Sequence, residues 1–246
     1  MGFCVQALDG GPNLIYALHG FLGEGSDWDD TFKNLNQIHQ IICPSYFSTE
    51  RFYDLDLKYF IQNIEDQIQK NPGLKKIFVG YSLGGRIGLR LLEVHPNLFD
   101  HYVFISTHPG LVSESEKENR KQHDQNWIDT LQNESWPSFL SRWNAQDVLK
   151  DSESKIRIEK AYSKERLVFA LSDYSLGQQK DYSDLIRQNQ NRLTWIVGDQ
   201  DLKFIQLAEN LKQKKILLDY KRISSVHRIL LDNPKELSVV IQGLLN

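Results

Sequence analysis

Gly80-Tyr81-Ser82-Leu83-Gly84 lies between the apolar run Ile77-Phe78-Val79 and a helix-patterned stretch from Arg86 to Val94. The order reads as strand, sharp turn and helix, with a serine at the tip. A residue held at so tight a turn crowds the positions two before and two after it. Gly80 and Gly84 stand there, and glycine brings no Cβ to such a contact. The Ser82 hydroxyl is thereby lifted clear of the sheet, above a helix N-terminus that favours developing negative charge. The plain alternative is an ordinary turn with a serine at a helix cap; the flanking strand and helix patterns favour a reactive serine.

Outward from this segment, short apolar runs alternate with helical patterns, which predicts parallel strands joined by crossover helices. Strands are expected at 14–18, 38–43, 76–79, 102–106, 193–197 and 216–218. Leu57, Phe60, Ile61, Ile64 and Ile68 recur at helical spacing and define one apolar face. A helix after Ser82 carries Ile87, Leu91 and Val94, and a last one starts at Pro234, a favourable first-turn residue, and runs to about Leu244. The alternation breaks between about His108 and Arg187, a stretch rich in charge, with Trp127, Trp136 and Trp143 at mostly helical periodicity. An inserted helical cap is expected here, over the strand C-termini where open α/β sheets bind ligands. This divides the chain into a first core part at 1–107, a cap insertion at 108–187 and a second core part at 188–246. Strand, Gly-x-Ser-x-Gly turn and helix resemble the nucleophile elbow of the α/β-hydrolase fold. That resemblance implies a mostly parallel central sheet flanked by helices.

Composition bounds the function. The 246 residues carry a net charge of −3, with 40% hydrophobic and 25% charged residues. These are the proportions of a soluble globule with a substantial core, and they give no reason to expect nucleic-acid binding. No apolar run is long enough to span a bilayer, so no membrane insertion is expected. Cys4 and Cys43 fall in expected strands without metal-ligand spacing, and buried free thiols are the simpler reading than a disulfide. The start Met1-Gly2-Phe3-Cys4-Val5-Gln6 has neither a basic region nor a long apolar one. A cytoplasmic protein is expected, as a monomer or small homo-oligomer.

A serine hydroxyl is a weak nucleophile or base until a histidine takes its proton, and the histidine needs a carboxylate to orient it. In this fold they follow in the order serine, acid, histidine. His227 is the one histidine of seven after the strand expected at 193–197. The acid should follow that strand, where Gly198-Asp199-Gln200-Asp201 offers two carboxylates. The usual Gly-x-x-Asp spacing favours Asp201, with Asp199 then a turn residue. An oxyanion hole needs two convergent N–H groups. Leu83 supplies one, and the loop His19-Gly20-Phe21 supplies the other, from Phe21. His19 itself reads as structural, beneath the site.

Leu18-His19-Gly20-Phe21-Leu22-Gly23, Trp28, Gly-Tyr-Ser-Leu-Gly-Gly-Arg ending at Arg86, Thr107-His108-Pro109-Gly110-Leu111 and the stretch from Gly198 to Phe204 together resemble the 2-succinyl-6-hydroxy-2,4-cyclohexadiene-1-carboxylate synthases of menaquinone biosynthesis. The likeness spans most of the chain and thins between Lys150 and Asn191. It implies a lyase that eliminates pyruvate without metal or organic cofactor, on a small-molecule polycarboxylate, with Ser82, His227 and Asp201 as the base. Such a substrate calls for arginines, which bind carboxylates through two parallel hydrogen bonds. Arg86 and Arg120 match the family's pattern, and Tyr81 and Trp143 match residues that line its pocket. For each, a solvated cation or an ordinary packing aromatic is the competing reading. A third cap arginine is replaced by Glu159 or Lys160, with Arg157 close by, and Lys160 is the candidate. Pro44-Ser45-Tyr46-Phe47-Ser48 stands where relatives carry Asp-x-Pro-Gly-His-Gly, and Ser224-Ser225-Val226-His227-Arg228 lacks the usual Gly-His pair. The rival is an ester or thioester hydrolase that uses the same three residues through an acyl-serine. The arginines discriminate, since esters of neutral acids gain nothing from inward-facing cations.

Overall fold

The computed structural model describes residues 4–6, 12–49 and 56–245. The start of the chain before Cys4 lies outside the described residues, as do the side chains of Cys4 and Leu57. Among the described residues seven strands form one sheet: β1 (Cys4–Gln6), β2 (Asn13–Leu18), β3 (Gln40–Cys43), β4 (Lys75–Tyr81), β5 (His101–Ile105), β6 (Leu193–Gly198) and β7 (Lys221–Ile223). Their order is β1-β3-β2-β4-β5-β6-β7; β1 pairs antiparallel with β3 and every other pairing is parallel.

Parallel strands buried on both faces read as continuous apolar runs, and β2 is one. Leu14, Tyr16 and Leu18 enter the core on one face, Ile15 and Ala17 the core on the other. Among the described residues ten α-helices accompany the sheet: α1 (Asp29–Phe32), α2 (Leu57–Gln69), α3 (Leu83–Val94), α4 (Glu114–Asn133), α5 (Trp136–Asn144), α6 (Lys164–Ser172), α7 (Ser183–Gln188), α8 (Leu202–Gln213), α9 (Ile229–Asp232) and α10 (Pro234–Gln242). The core on one face takes Phe60, Ile61, Ile64 and Ile68 of α2, Ile87 and Leu91 of α3, and Phe204 and Leu211 of α8. The other takes Phe32 of α1 and Leu237 and Ile241 of α10. Val94, expected on the apolar face of α3, is 45% exposed at its last turn. Among the described residues, no helix is long and apolar enough to cross a membrane.

The strand expected at 216–218 is not there. Lys215 adopts a left-handed φ of 56°, and the Ile216 and Lys215 N–H groups donate to the carbonyls of Leu211 and Lys212 at 2.8 and 2.9 Å. This is a Schellman closure of α8, in which Ile216 and Leu211 form the buried apolar contact that accompanies the motif. The apolar pair that mimics a strand is a helix stop, and β7 starts five residues later.

Helices α4 to α7 lie between β5 and β6. Leu131, Trp136, Phe139, Leu167 and Ile186 of this insert join the same core as α2, α3 and α8. The insert also touches the loop after β3: Ser163 N–H donates to the Phe47 carbonyl at 2.9 Å.

Candidate active site

Ser82 follows β4 and precedes α3 at φ 50°, ψ −110°. An L-residue in the left-handed region is uncommon, and such strain survives where the surroundings over-determine it. Here Ser82 N–H is held by the Ile105 carbonyl of β5 at 2.9 Å. A Cβ at Gly84 would lie 2.3 Å from the Leu18 carbonyl oxygen, and one at Gly80 would lie 2.6 Å from Gly85 Cα. The elbow therefore closes against both the neighbouring strand and its own helix, as the spacing of the glycines predicts.

At the end of β6 the chain turns into α8, and Asp201 occupies the turn. Its Oδ1 accepts the Phe204 N–H at 3.3 Å as the helix N-cap, while Oδ2 lies 2.6 Å from His227 Nδ1. Both side chains are buried. One carboxylate is thus fixed by its helix and in turn fixes the imidazole. The His227 ring is further held between Phe204 and Tyr81, with centroids 4.8 and 5.6 Å away, and its carbonyl accepts from Ser106 Oγ at 3.2 Å. Asp199 is exposed and accepts the Ser225 N–H at 3.1 Å, which makes it a loop tie. Ser82, Asp201 and His227 line one cleft of about 990 Å³ between the sheet edge and the insert.

Leu83 is the first residue of α3, so its N–H has no partner within the helix. Phe21 follows β2 on the facing loop and lines the cleft beside Ser82. Among the described residues neither Phe21 N–H nor Leu83 N–H has a hydrogen-bond partner. The loop carrying Phe21 is anchored from below. The His19 ring is wholly buried, donates from Nδ1 to the Gly20 carbonyl at 2.8 Å and stacks on Tyr46 at 4.0 Å and 3°. The Tyr46 hydroxyl donates to the His19 carbonyl. Burial pulls the His19 imidazole down to about 4, so it is neutral at neutral pH and serves as packing.

Beyond Ser82 the cleft continues into an inner pocket of about 120 Å³, lined by Phe21, Leu83, Arg86, His108, Arg120 and Trp143 among others. Arg86 donates to the Tyr174 carbonyl at 2.6 Å and to Gln179 Oε1 at 3.3 Å, both neutral acceptors. Among the described residues it has no carboxylate partner. Burial, then the neighbouring Arg120, pull its guanidinium down to about 9. Arg120 donates from Nε to both oxygens of Asp124 at 2.8 and 2.9 Å, and the buried Asp124 also accepts from Ser175 Oγ at 2.7 Å. Tyr81 is buried against His227, and Trp143 stacks obliquely on Phe21 at 4.6 Å. Lys160 is set apart. Its side chain is exposed on a 3-10 turn at Glu159–Ala161 and lines neither cavity. Arg157 instead lines the cleft, where Asp27 Oδ2 holds it at 2.7 Å and Glu24 approaches to 3.7 Å.

Three groups in the site escape the reading of the sequence. Lys203, on the first turn of α8, and His108, after β5, line the inner pocket, and Arg228, beside His227, lines the cleft. Each lies one or two residues from a quoted motif residue or within a quoted motif, which is the signal that was available. Among the described residues no cluster of metal-ligating side chains occurs.

A profile of the alpha/beta hydrolase fold family matches residues 13–234. The 2-succinyl-6-hydroxy-2,4-cyclohexadiene-1-carboxylate synthase of Enterobacter sp. (strain 638) is 25% identical over 243 residues, covering 96% of this chain and 92% of the relative. The enzyme of that name from Yersinia enterocolitica is 26% identical over 210 residues, covering 82% and 76%. Among solved structures, MenH from S. aureus superposes with a TM-score of 0.83 at 19% identity, covering 97% of this chain and 95% of its own. A thermophilic esterase from Thermogutta terrifontis gives 0.71 at 16% identity, covering 100% and 97%. The structural likenesses establish the fold, and the curated relatives carry the name to which the sequence motifs point.

Proposed function

We propose, from the premise that the chain belongs to the alpha/beta hydrolase fold family, that it eliminates pyruvate from 2-succinyl-5-enolpyruvyl-6-hydroxy-3-cyclohexene-1-carboxylate to give 2-succinyl-6-hydroxy-2,4-cyclohexadiene-1-carboxylate. The curated relatives bear the name of that product's synthase. The observation that carries the reading is Arg86, a half-buried cation one helical turn from Ser82 whose hydrogen bonds go only to neutral acceptors. A cation drawn partly out of water without a hydrogen-bonded carboxylate is costly, and a substrate carboxylate is the group that offsets that cost.

In this reading His227, oriented by Asp201, takes the Ser82 proton, and the serine oxygen removes the ring proton next to the succinyl carbonyl. The carbonyl becomes an enolate whose oxyanion accepts from the Phe21 and Leu83 amides, the arrangement that stabilises charge as it develops. The electron pair then moves back through the ring double bond and breaks the C–O bond to the enolpyruvyl group. Enolpyruvate leaves and takes up a proton to become pyruvate. Serine remains free throughout, since no acyl-enzyme forms. The segment 108–187 acts as the cap that supplies Arg120 and Trp143, and the substrate is a small polycarboxylate.

The test is pyruvate release from this substrate, corrected for its unaided decay, with p-nitrophenyl acetate and butyrate in parallel. Acceleration that disappears in Ser82→Ala supports the lyase. Rapid ester cleavage without pyruvate release makes the protein a hydrolase and removes the reading.

A further inference from the structure

His108 belongs to a motif that the chemistry above leaves without a task. It follows β5 and lines the inner pocket together with Ser82, Arg86 and Arg120. Its backbone is fixed from the insert, where Gln179 Nε2 donates to the His108 carbonyl at 3.2 Å. Its ring is fixed from the following turn, since the Gly110 N–H donates to Nδ1 at 3.1 Å. A ring nitrogen that accepts an N–H carries no proton itself, so a neutral imidazole here is the Nε2–H tautomer. Gly110 sits at φ 135°, where a side chain is strained, and a Cβ there would lie 2.3 Å from the Lys180 carbonyl oxygen. The donor of this hydrogen bond is therefore locked in place by its own turn.

We infer that His108 is a binding residue of the inner pocket: its Nε2–H, a neutral donor of fixed tautomer, hydrogen-bonds a carboxylate oxygen of the ligand that Arg86 and Arg120 attract. The charged groups facing it come from three elements. Arg86 lies on α3, Arg120 with its partner Asp124 on α4, and Lys203 on α8. Burial first, then Arg86, Lys203 and Arg120, pull the imidazole down to about 3. The ring consequently adds a donor without adding a further like charge beside two arginines. It also has no free acceptor, since Nδ1 is occupied, so the pocket rejects a group that must itself donate there. The inference rests on the reading of the pocket as a carboxylate site and is independent of the elimination step.

The measurement is succinate binding by the intact protein, followed by titration calorimetry. Ser82 labelling by a fluorophosphonate serves as the check that the elbow and His227 remain in place. His108→Phe keeps a planar ring and removes the donor. Succinate should bind it on the order of 10- to 100-fold more weakly, the size of a lost hydrogen bond to a charged acceptor. His108→Gln returns an N–H near the position of Nε2 and should lie within about threefold of the parent protein, a difference smaller than one neutral hydrogen bond. Retained labelling of Ser82 in both shows that the elbow and His227 are still in place. No succinate binding by the parent protein, parent-like binding by His108→Phe, or equal weakening in the two variants each overturns the inference. Should His108→Phe lose Ser82 labelling, the imidazole nitrogen resonances of the unaltered protein decide. The Nε2–H form should persist from pH 5 to 8 and its Nε2 signal should move on adding succinate. A protonated ring, the Nδ1–H form or an unmoved signal overturns it.

Discussion

Replacing Arg86 with methionine separates what this residue does for the ligand from what it does for the fold. Burial pulls the guanidinium down to about 9, far below an exposed one. Without solvent screening that difference is on the order of 5 kcal/mol of unfavourable burial at neutral pH. Solvent in the cavity and local relaxation reduce it to roughly 2–3 kcal/mol. The folded pKa lies below the unfolded one, so this penalty is fully present below pH 9 and is relieved only as pH rises from there towards the unfolded value. Against it stand the hydrogen bonds to the Tyr174 carbonyl and Gln179, whose loss costs about 1–2 kcal/mol. Methionine fills the stem volume and carries no charge. The net expectation for Arg86→Met is a protein more stable by about 1 kcal/mol, with Tm higher by roughly 2–4 °C at this chain length. KM for the polycarboxylate substrate should rise by two orders of magnitude or so, as for a lost bidentate charge contact. Calorimetric melting and pyruvate-release kinetics read the two halves separately. A variant that melts several degrees lower while KM is unchanged would refute the reasoning, since Arg86 would then be a structural tie.

Asp201→Asn keeps the capping oxygen for Phe204 but offers His227 an amide, so the wrong imidazole tautomer is favoured; kcat should fall by about 10⁴, whereas Asp199→Asn should stay within about twofold because Asp199 is exposed and its amide replacement still accepts the one backbone N–H. Gly84→Ala drives a Cβ to 2.3 Å from the Leu18 carbonyl oxygen, and the yield of soluble folded protein should collapse in a side-by-side expression test. The His19 imidazole has its folded pKa lowered to about 4 from 6.5, so the unfolded chain binds the extra proton between these values. Stability should be flat above pH 6.5 and fall by about 2–3 kcal/mol by pH 4.5, with a shallower fall in His19→Gln, as read from urea midpoints.

The fold was legible where burial is two-sided. β2, β4, β5 and β6 each carry a buried run that is mostly apolar, because parallel strands covered on both faces have no polar alternation. Ile216 and Leu217 misled for the same reason, since an apolar pair closing a helix has the composition of a short strand and only the left-handed Lys215 between helix and pair distinguishes them. The pairing of His227 with Asp201 was legible from chain order and the Gly-x-x-Asp spacing, both local signals. The cations were only half legible. Arg86 and Arg120 sit at fixed helical distance from recognisable motifs, but the choice between Lys160 and Arg157 turns on Asp27, 130 residues from Arg157. No periodicity in a loop carries that information.

The same division explains where local rules fail in this chain. Strand composition, helix caps and glycine placement agree with the fold nearly everywhere, and agreement across levels is what specifies a single structure. Three disagreements meet at one pocket: Ser82 at a left-handed φ, Arg86 half-buried with hydrogen bonds only to neutral acceptors, and His108 held neutral among cations. Each is a cost that packing alone would remove, by glycine, methionine and phenylalanine respectively. What the three share is that an anionic ligand with a carbonyl near Ser82 relieves or uses all of them at once. A strained serine serves a reacting carbonyl, and an unpaired guanidinium with a neutral donor beside it serves a carboxylate a few ångströms further in. A hydrolase of neutral esters would need the first feature and be burdened by the other two, which is why the charge of the inner pocket, more than the triad, favours the lyase.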